Sequence, residues 1–232
     1  MTDSAFTVYL VDDDPGVLKA LARLLQARGY EVRPFTTPQA FLAAHDTTIA
    51  GCAILDISMP DLDGLELQQA LTAQGSQRPV IFLTGQGDIP TSVRAMQAGA
   101  IDFLTKPVND ADLLAAIARA AAKDAETRTA AASLGSIKAR FSQLTPREHE
   151  VMTHVVAGRL NKQIAGDIGT VEKTVKVHRA RVMSKLGIRS VADLVRLAER
   201  AGINGKEPQP ATSEYQPQGH SSSIERHDAS KR

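Results

Sequence analysis

The chain has no tryptophan, a single cysteine, and only three tyrosines and six phenylalanines among its 232 residues. That scarcity of aromatic surface argues against a carbohydrate or aromatic-ligand binder. The lone Cys52 excludes an intramolecular disulfide and a cysteine zinc site, and it reads as a small core residue. No apolar run approaches the roughly 20 residues that span a bilayer. Met1 to Phe6 is short and acidic and lacks a signal-peptide pattern. These absences lead to the expectation of a soluble cytoplasmic protein with no membrane partner. Net charge is also nearly absent, at +1. The average hides an asymmetry: residues 1–124 hold 9 Lys and Arg against 15 Asp and Glu, a balance of −6, whereas residues 137–201 hold 13 against 6, a balance of +7. An acidic half and a basic half suggest two jobs, with the basic half suited to a polyanion. Hydrophobic residues make up 43 %, enough for buried cores and too many for a disordered chain.

The first 120 residues alternate short apolar runs with helical periodicity. Runs at Thr7–Val11, Gly29–Val32, Cys52–Leu55, Val80–Leu83 and Ile101–Leu104 read as five strands. Between and after them, the stripe Val17, Leu21, Leu24, Leu25, the pair Phe41–Leu42, and segments Leu65–Leu71, Ile89–Ala98 and Asp110–Ala122 read as five helices. Five such units predict an α/β, doubly wound, five-stranded parallel sheet of flavodoxin-like type. Ligands of such sheets sit outside the carboxyl ends of the strands, where Asp12, Asp13, Asp56, Thr84 and Lys106 fall. Three crowded carboxylates repel one another without a cation, and oxygen-only ligation suits Mg²⁺. A hydroxyl and an ammonium beside a carboxylate suit the oxygens of a phosphoryl group. The Lys106–Pro107 bond is a candidate for the cis form.

Residues 123–142 read as an alanine-rich helical linker, with Gly135 or Ser136 breaking the helix. Residues 143–201 are helical throughout and predict an all-α, four-helix domain. Thr145, Pro146 and Glu148 supply a helix N-cap, a first-turn proline and a capping-box acid, for a helix running to Gly158. Asn161 is expected to cap the next helix. Gly169–Val171 is a turn, with Thr170 an alternative cap, and Glu172–Leu186 and Val191–Arg200 complete the set. Two helices joined by a short glycine turn make a helix-turn-helix. At 100° per residue, Val175, Val182 and Leu186 share one narrow sector. Lys173, Val177, Ala180 and Ser184 lie opposite, flanked by Lys176 and Arg181. That division suits a helix with one face in a core and the other in a major groove, and an ordinary solvated helix shows it too. Residues 202–232 are rich in Pro, Gln, Ser and charge and are expected to be disordered.

The blocks Val11–Pro15, Leu55–Gly64, Thr84–Gly85 and Lys106–Pro107 closely resemble the CheY-like receiver domain of two-component response regulators, over residues 6–122. The resemblance implies that Asp56 accepts phosphate from a sensor histidine kinase. It implies Mg²⁺ on Asp13, Asp56 and the backbone carbonyl of Ser58, with Asp12 acting through water. Lys106 would pair with the phosphoryl group, Thr84 would swing to hydrogen-bond it, and Phe103 would rotate inward behind it. The blocks Leu144–Glu148, Gly158–Ala165, Lys173–Arg179 and Lys185–Leu186 resemble the LuxR-type helix-turn-helix. This implies base contacts near Lys176, Val177 and Ala180, and phosphate contacts by Lys173, Thr174 and Arg181. His178 reads as a packing residue or a phosphate neighbour. The pairing is the architecture of the NarL/FixJ family, with Phe82–Pro90 and Ala98–Leu104 similar to its FixJ branch. It implies a transcription factor that is not an enzyme, dimerises when phosphorylated, and meets promoter DNA and RNA polymerase. Two other readings stay open at this level. One is a Mg²⁺-dependent phosphatase, which would need a second general acid or base. The other is a phosphate-independent regulator using the first domain as a dimer interface.

Overall fold

A computed structural model of the chain describes residues 6–85 and 89–204, with the backbone alone for residues 89–92. The chain divides into two compact units, residues 1–136 and 137–232.

In the first unit, β1 (Thr7–Val11), β2 (Glu31–Phe35), β3 (Gly51–Asp56), β4 (Val80–Thr84) and β5 (Asp102–Thr105) form one parallel sheet in the order β2-β1-β3-β4-β5. Helices α1 (Pro15–Ala27), α2 (Pro38–Ala44), α3 (Gly64–Ala73), α4 (Ile89–Gln97) and α5 (Asp110–Phe141) follow the strands in turn. Two strands sit further along the chain than their apolar runs suggest. Gly29 adopts φ +86° to close α1, so β2 begins only at Glu31. Its Pro34 lacks an N–H, which an edge strand tolerates. Ile101 spends its N–H on the Val80 carbonyl before β5 begins. The strands β1, β3 and β4 are buried along their whole length, because helices cover both faces. One face packs Leu10, Leu25, Ile54, Ile81, Leu113 and Ile117, and the other packs Tyr9, Phe41, Leu55, Leu67 and Phe82. Cys52 is fully buried, and that burial pushes its thiol up to about 12.

Local chemistry sets the helix starts. Asp14 accepts from the N–H groups of Gly16 and Val17, with Pro15 in the first turn. Thr37 caps α2, and Asp63 with Glu66 forms a capping box on α3. Each such cap contributes about 1 kcal/mol.

Helix α5 does not break at Gly135 or Ser136; it is continuous to Phe141. Gly135 has no left-handed backbone angle to end a helix. Its cost within a helix is about 1 kcal/mol. Burial of Ile137 and Phe141 in the next core, at about 1.5–3 kcal/mol each, exceeds that cost.

The second unit holds α6 (Pro146–Val156), α7 (Asn161–Asp167), α8 (Glu172–Leu186) and α9 (Val191–Ala201). Val151, Met152, Ile164, Val175, Val182, Leu186, Leu194 and Ala198 make its core. Thr145 caps α6 as expected, and its partner Glu148 bonds back to the Thr145 N–H at 2.9 Å. Helix α6 stops at Val156, two residues before Gly158 turns left-handed at φ +76°. Asn161 does not cap α7. The cap position is Leu160, whose N–H is satisfied by Gln163, and Asn161 sits in the first turn. Thr170 does not cap α8 either; Val171 holds that position and offers no side-chain hydrogen bond. The expected tail lies almost wholly outside the described residues.

Candidate functional sites

The parallel register carries three chain-distant segments to one end of the sheet. Val11 pairs with Leu55 and Asp56 with Leu83. The residues following β1 and ending β3 therefore stand side by side. Asp12 and Asp56 are buried, at 2 % and 4 % exposure, while Asp13 is exposed. One oxygen from each of the three carboxylates lies within 4.8 Å of the others. Thr84, at the end of β4, is buried and follows Leu83, the register partner of Asp56. The Lys106 N–H donates to the Thr84 carbonyl at 2.7 Å, which ties the residue after β5 to the end of β4. The Lys106–Pro107 bond is cis, as the sequence allows.

The Lys106 ammonium donates to Asp12 Oδ2 at 2.7 Å and stands 3.1 Å from Asp56 Oδ1. The second contact is an ion pair without hydrogen-bond alignment, so Asp56 Oδ1 keeps unused acceptor capacity. Burial raises the Asp56 carboxyl above the usual range; the Lys106 ammonium opposes this, and the charge of Asp12 adds to it. Burial by itself would lower Lys106, but its hydrogen bond to Asp12 and its ion pair with Asp56 outweigh that and hold it above its ordinary value. Phe103, on β5, is half-buried against the aromatic face of the core. Ser58 is exposed in the loop after β3, and a backbone hydrogen bond from it lowers Asp56. Asp12, Asp13, Asp56 and Lys106 thus share one pocket, with Thr84 joined to it through the Lys106 backbone. A pocket with three converging carboxylate oxygens fits a hard divalent cation.

At the opposite end of the sheet lies an arrangement that strand-end reasoning does not find. Arg78 donates to His45 Nε2 at 3.0 Å and to the carbonyls of Asp46 and Ile49. Arg128, on α5, pairs with Asp124 and donates to the carbonyls of Thr47, Thr48 and Ile49. Asp124 also accepts from the Gly51 N–H. The two arginines clamp the loop before β3 and fix α5 beyond its first three turns. The partners are about 30 and 80 residues apart in the chain, so no local pattern signals them.

In the second unit, Val175, Val182 and Leu186 are buried, as the angular count requires. Lys173, Lys176, Val177, Ala180 and Arg181 are exposed, and Thr174 is half-buried. His178 is half-buried, with Nδ1 enclosed. Long-range bonds hold α8. Arg179 donates to Asn161 Oδ1 at 2.7 Å, and Lys185 donates to Glu148 Oε2 at 2.7 Å. Lys185, with the backbone N–H of Thr145, holds the Glu148 carboxyl down at about 2. Arg147 donates to the carbonyl of Ile168, closing α6 onto the turn before α8. The helix-turn-helix is therefore braced at both ends, and its cationic face is exposed.

An acid pocket with a lysine at the carboxyl ends of a five-stranded parallel sheet, joined to a braced helix-turn-helix, defines a phosphorylatable DNA-binding regulator. Family comparison agrees. The response regulator receiver domain matches residues 8–118, and the luxR family of bacterial regulatory proteins matches residues 142–198. The response regulator protein TmoT of Ectopseudomonas mendocina is 44 % identical over 200 residues, covering 86 % of this chain and 91 % of TmoT. The transcriptional regulatory protein FixJ of Bradyrhizobium diazoefficiens is 42 % identical over 197 residues, covering 84 % and 96 %. Among solved structures, the response regulator StyR is 45 % identical with a TM-score of 0.73, covering 84 % of this chain and 99 % of that one. Full-length FixJ from B. japonicum is 40 % identical with a TM-score of 0.51, covering 85 % and 98 %. The chain belongs to the NarL/FixJ family of two-component response regulators, and it is a DNA-binding transcriptional regulator. Among the described residues, no helix is long and apolar enough to cross a membrane.

Proposed function

We propose that Asp56 is the phosphoacceptor of this regulator and that its phosphorylation controls promoter binding by α8. The observation that carries this reading is the buried Asp56 carboxylate facing both Asp12 and the Lys106 ammonium, at the strand end where register collects acids. A carboxylate oxygen of Asp56 attacks the phosphorus of a phosphohistidine on a sensor kinase. The P–N bond breaks, its electron pair leaves with the imidazole, and an acyl phosphate remains. Asp13, Asp56 and the Ser58 carbonyl would hold Mg²⁺, with Asp12 behind water, and the bound ion supplies charge neutralisation for phosphoryl oxygens. Lys106 then turns from its carboxylate partners to a phosphoryl oxygen, and the Thr84 hydroxyl donates to another. Phosphorylation adds about −1.5 to −2 charge and three acceptor oxygens, which gives Thr84 and Lys106 new acceptors in that state. Phe103 packs into the space behind Thr84, so one covalent bond biases the β4–β5 face.

The proposed units are the receiver at residues 6–122, the helical linker at 123–142, the DNA-binding domain at 143–201 and the tail at 202–232. Phosphorylated chains dimerise through α4, β5 and α5 and read two half-sites from the cytoplasm, with RNA polymerase as the downstream partner. Lys176, Val177 and Ala180 face base edges, and Lys173, Thr174 and Arg181 hold phosphates. The protein turns over no substrate. The test is a titration of a promoter fragment, found by genome-wide occupancy, with acetyl phosphate and Mg²⁺ present. Wild type gains affinity and Asp56→Asn does not. Equal affinity under conditions that phosphorylate the wild type overturns the switch. Lys176→Ala weakens DNA binding and leaves phosphorylation intact.

A further inference from the structure

Four arginines gather at the C-terminal end of α8, away from the residues proposed to read bases. Arg140 in the last turn of α5, Arg189 in the loop after α8, and Arg196 and Arg200 on α9 line an open groove of about 500 Å³. All belong to the second unit. The groove contains one carboxylate, Asp193, which pairs with Arg196 at 2.6 Å and also holds Ser190. Asp193 offsets Arg196, and the charges of Arg140 and Arg189 remain in the groove without a carboxylate partner among the described residues. Arg140 and Arg189 make no hydrogen bond or ion pair through their side chains among the described residues. Arg140 lies over the end of α8 itself, with Nη2 at 3.6 Å from the place a Gly187 Cβ would take.

Helix α8 has 15 residues and is therefore about 22 Å long at 1.5 Å per residue. A major groove is about 12 Å wide. With Lys176, Val177 and Ala180 of α8 at base edges, the last turn runs out past the groove to the phosphate ridge. That end carries the negative pole of the helix, which alone would repel phosphates. The arginines reverse the sign of the field there. Planar guanidinium groups also match phosphate oxygens in pairs.

We propose that this arginine groove holds backbone phosphates of the DNA flanking the base pairs read by α8, as a sequence-independent anchor. The inference rests on the proposed groove reading of α8. The test uses the full chain, phosphorylated, on its cognate duplex and on a scrambled duplex, with affinity measured across salt concentration. The variants are Arg189→Ala and Arg140→Ala/Arg189→Ala, chosen because neither side chain has a partner to orphan among the described residues. Thermal melting checks the fold, and the exposed Arg189→Ala serves where the double variant melts early.

Each arginine removed from a phosphate makes the slope of log affinity against log salt shallower by about 0.9 per protomer. At 0.15 M salt, affinity falls by about fivefold for each such arginine. The fall is equal on both duplexes, so the specificity ratio stays at the wild-type value. Unchanged slope and affinity in both variants, with Lys176→Ala still weakening binding, overturns the proposal. Normal DNA binding with abolished transcription also overturns it, and assigns the groove to an acidic protein surface. If wild type does not discriminate cognate from scrambled duplex, the reading of α8 falls, and the groove is still judged by the slope on either duplex.

Discussion

Gly64→Ala tests whether the acid pocket depends on a close approach of backbone to backbone. Gly64 opens α3, and its N–H donates to the Ile57 carbonyl at 3.1 Å. A Cβ at this position presses into the carbonyl oxygen of Asp56, and stands 3.1 Å from both the Asp56 carbonyl carbon and Ile57 Cα. All three are backbone atoms, so no side-chain rotation relieves the contact. Carbon atoms ordinarily rest about 3.5–4.0 Å apart. The first turn of α3 or the end of β3 must therefore move by about 1 Å. Overpacking of this kind costs about 1–3 kcal/mol, and the entropy gained by replacing glycine returns at most about 1 kcal/mol. The net expectation is a destabilisation of about 1–2 kcal/mol in the first unit, read by urea unfolding of the full chain. The displaced backbone belongs to Asp56 itself. With Asp56 as the proposed phosphoacceptor, a misplacement of about 1 Å there can cost on the order of 100-fold in rate, read as single-turnover phosphorylation by acetyl phosphate. Gly135→Ala is the control, since a Cβ there meets nothing within 4 Å. Wild-type stability with wild-type phosphorylation in Gly64→Ala refutes the reasoning, because the contact would then relax at no cost.

Gly135→Ala carries its own expectation: a helix-interior glycine with open space around it gains about 0.5–1 kcal/mol on becoming alanine, and a lowered urea midpoint contradicts the continuous α5. Thr145→Ala removes the hydroxyl that accepts from the Glu148 N–H at 3.3 Å, and should cost the second unit about 0.5–2 kcal/mol; an unchanged melting midpoint shows the capping box to be idle. His45 gives a pH dependence. Burial, and then the charge of Arg78, holds it below 6.5, with Asp46 opposing, and its Nε2 accepts from Arg78. The unfolded chain takes up the proton before the folded one does, so stability is full above pH 6.5 and falls as pH drops from 6.5 toward the lowered value. His45→Gln flattens the decline between pH 7.5 and 5.5 in urea unfolding of the first unit, and equal declines in variant and wild type refute the assignment.

The acid pocket is legible in the sequence because its parts sit at strand ends, and strands announce themselves as apolar runs. Once Val11, Leu55 and Leu83 are placed in neighbouring strands, Asp12, Asp56 and Thr84 follow by register. The core face of α8 is legible for a similar reason, since a fixed angle per residue sorts Val175, Val182 and Leu186 from Lys173 and Val177. Single residues read in isolation mislead. Gly135 suggests a helix end, yet glycine ends a helix by turning left-handed, as Gly158 and Gly187 do, and Gly135 does not. Asn161 suggests a cap, yet its side-chain oxygen is engaged by Arg179 from another helix. In both cases a long-range partner outweighs a local preference of about 1 kcal/mol.

The length of α5 has the same origin. Its buried stripe in the first core ends at Ala120, and its next core contact is Ile137. The intervening residues are mostly alanine, charge and threonine, with little apolar surface to bury. Alanine favours the helix intrinsically, and two polar anchors add to it: Asp124 on the Gly51 N–H, and Arg128 on the carbonyls before β3. A bond to a charged group contributes about 1.5–3 kcal/mol where it is shielded from water, and Asp124 is 6 % exposed. The helix is thus held by composition along its length and by a clamp partway. Asp124→Ala leaves Arg128 without its carboxylate and the Gly51 N–H without an acceptor. That substitution should therefore loosen the loop before β3 as well as α5, and faster amide exchange in both segments together, rather than in α5 alone, is the signature of a clamp.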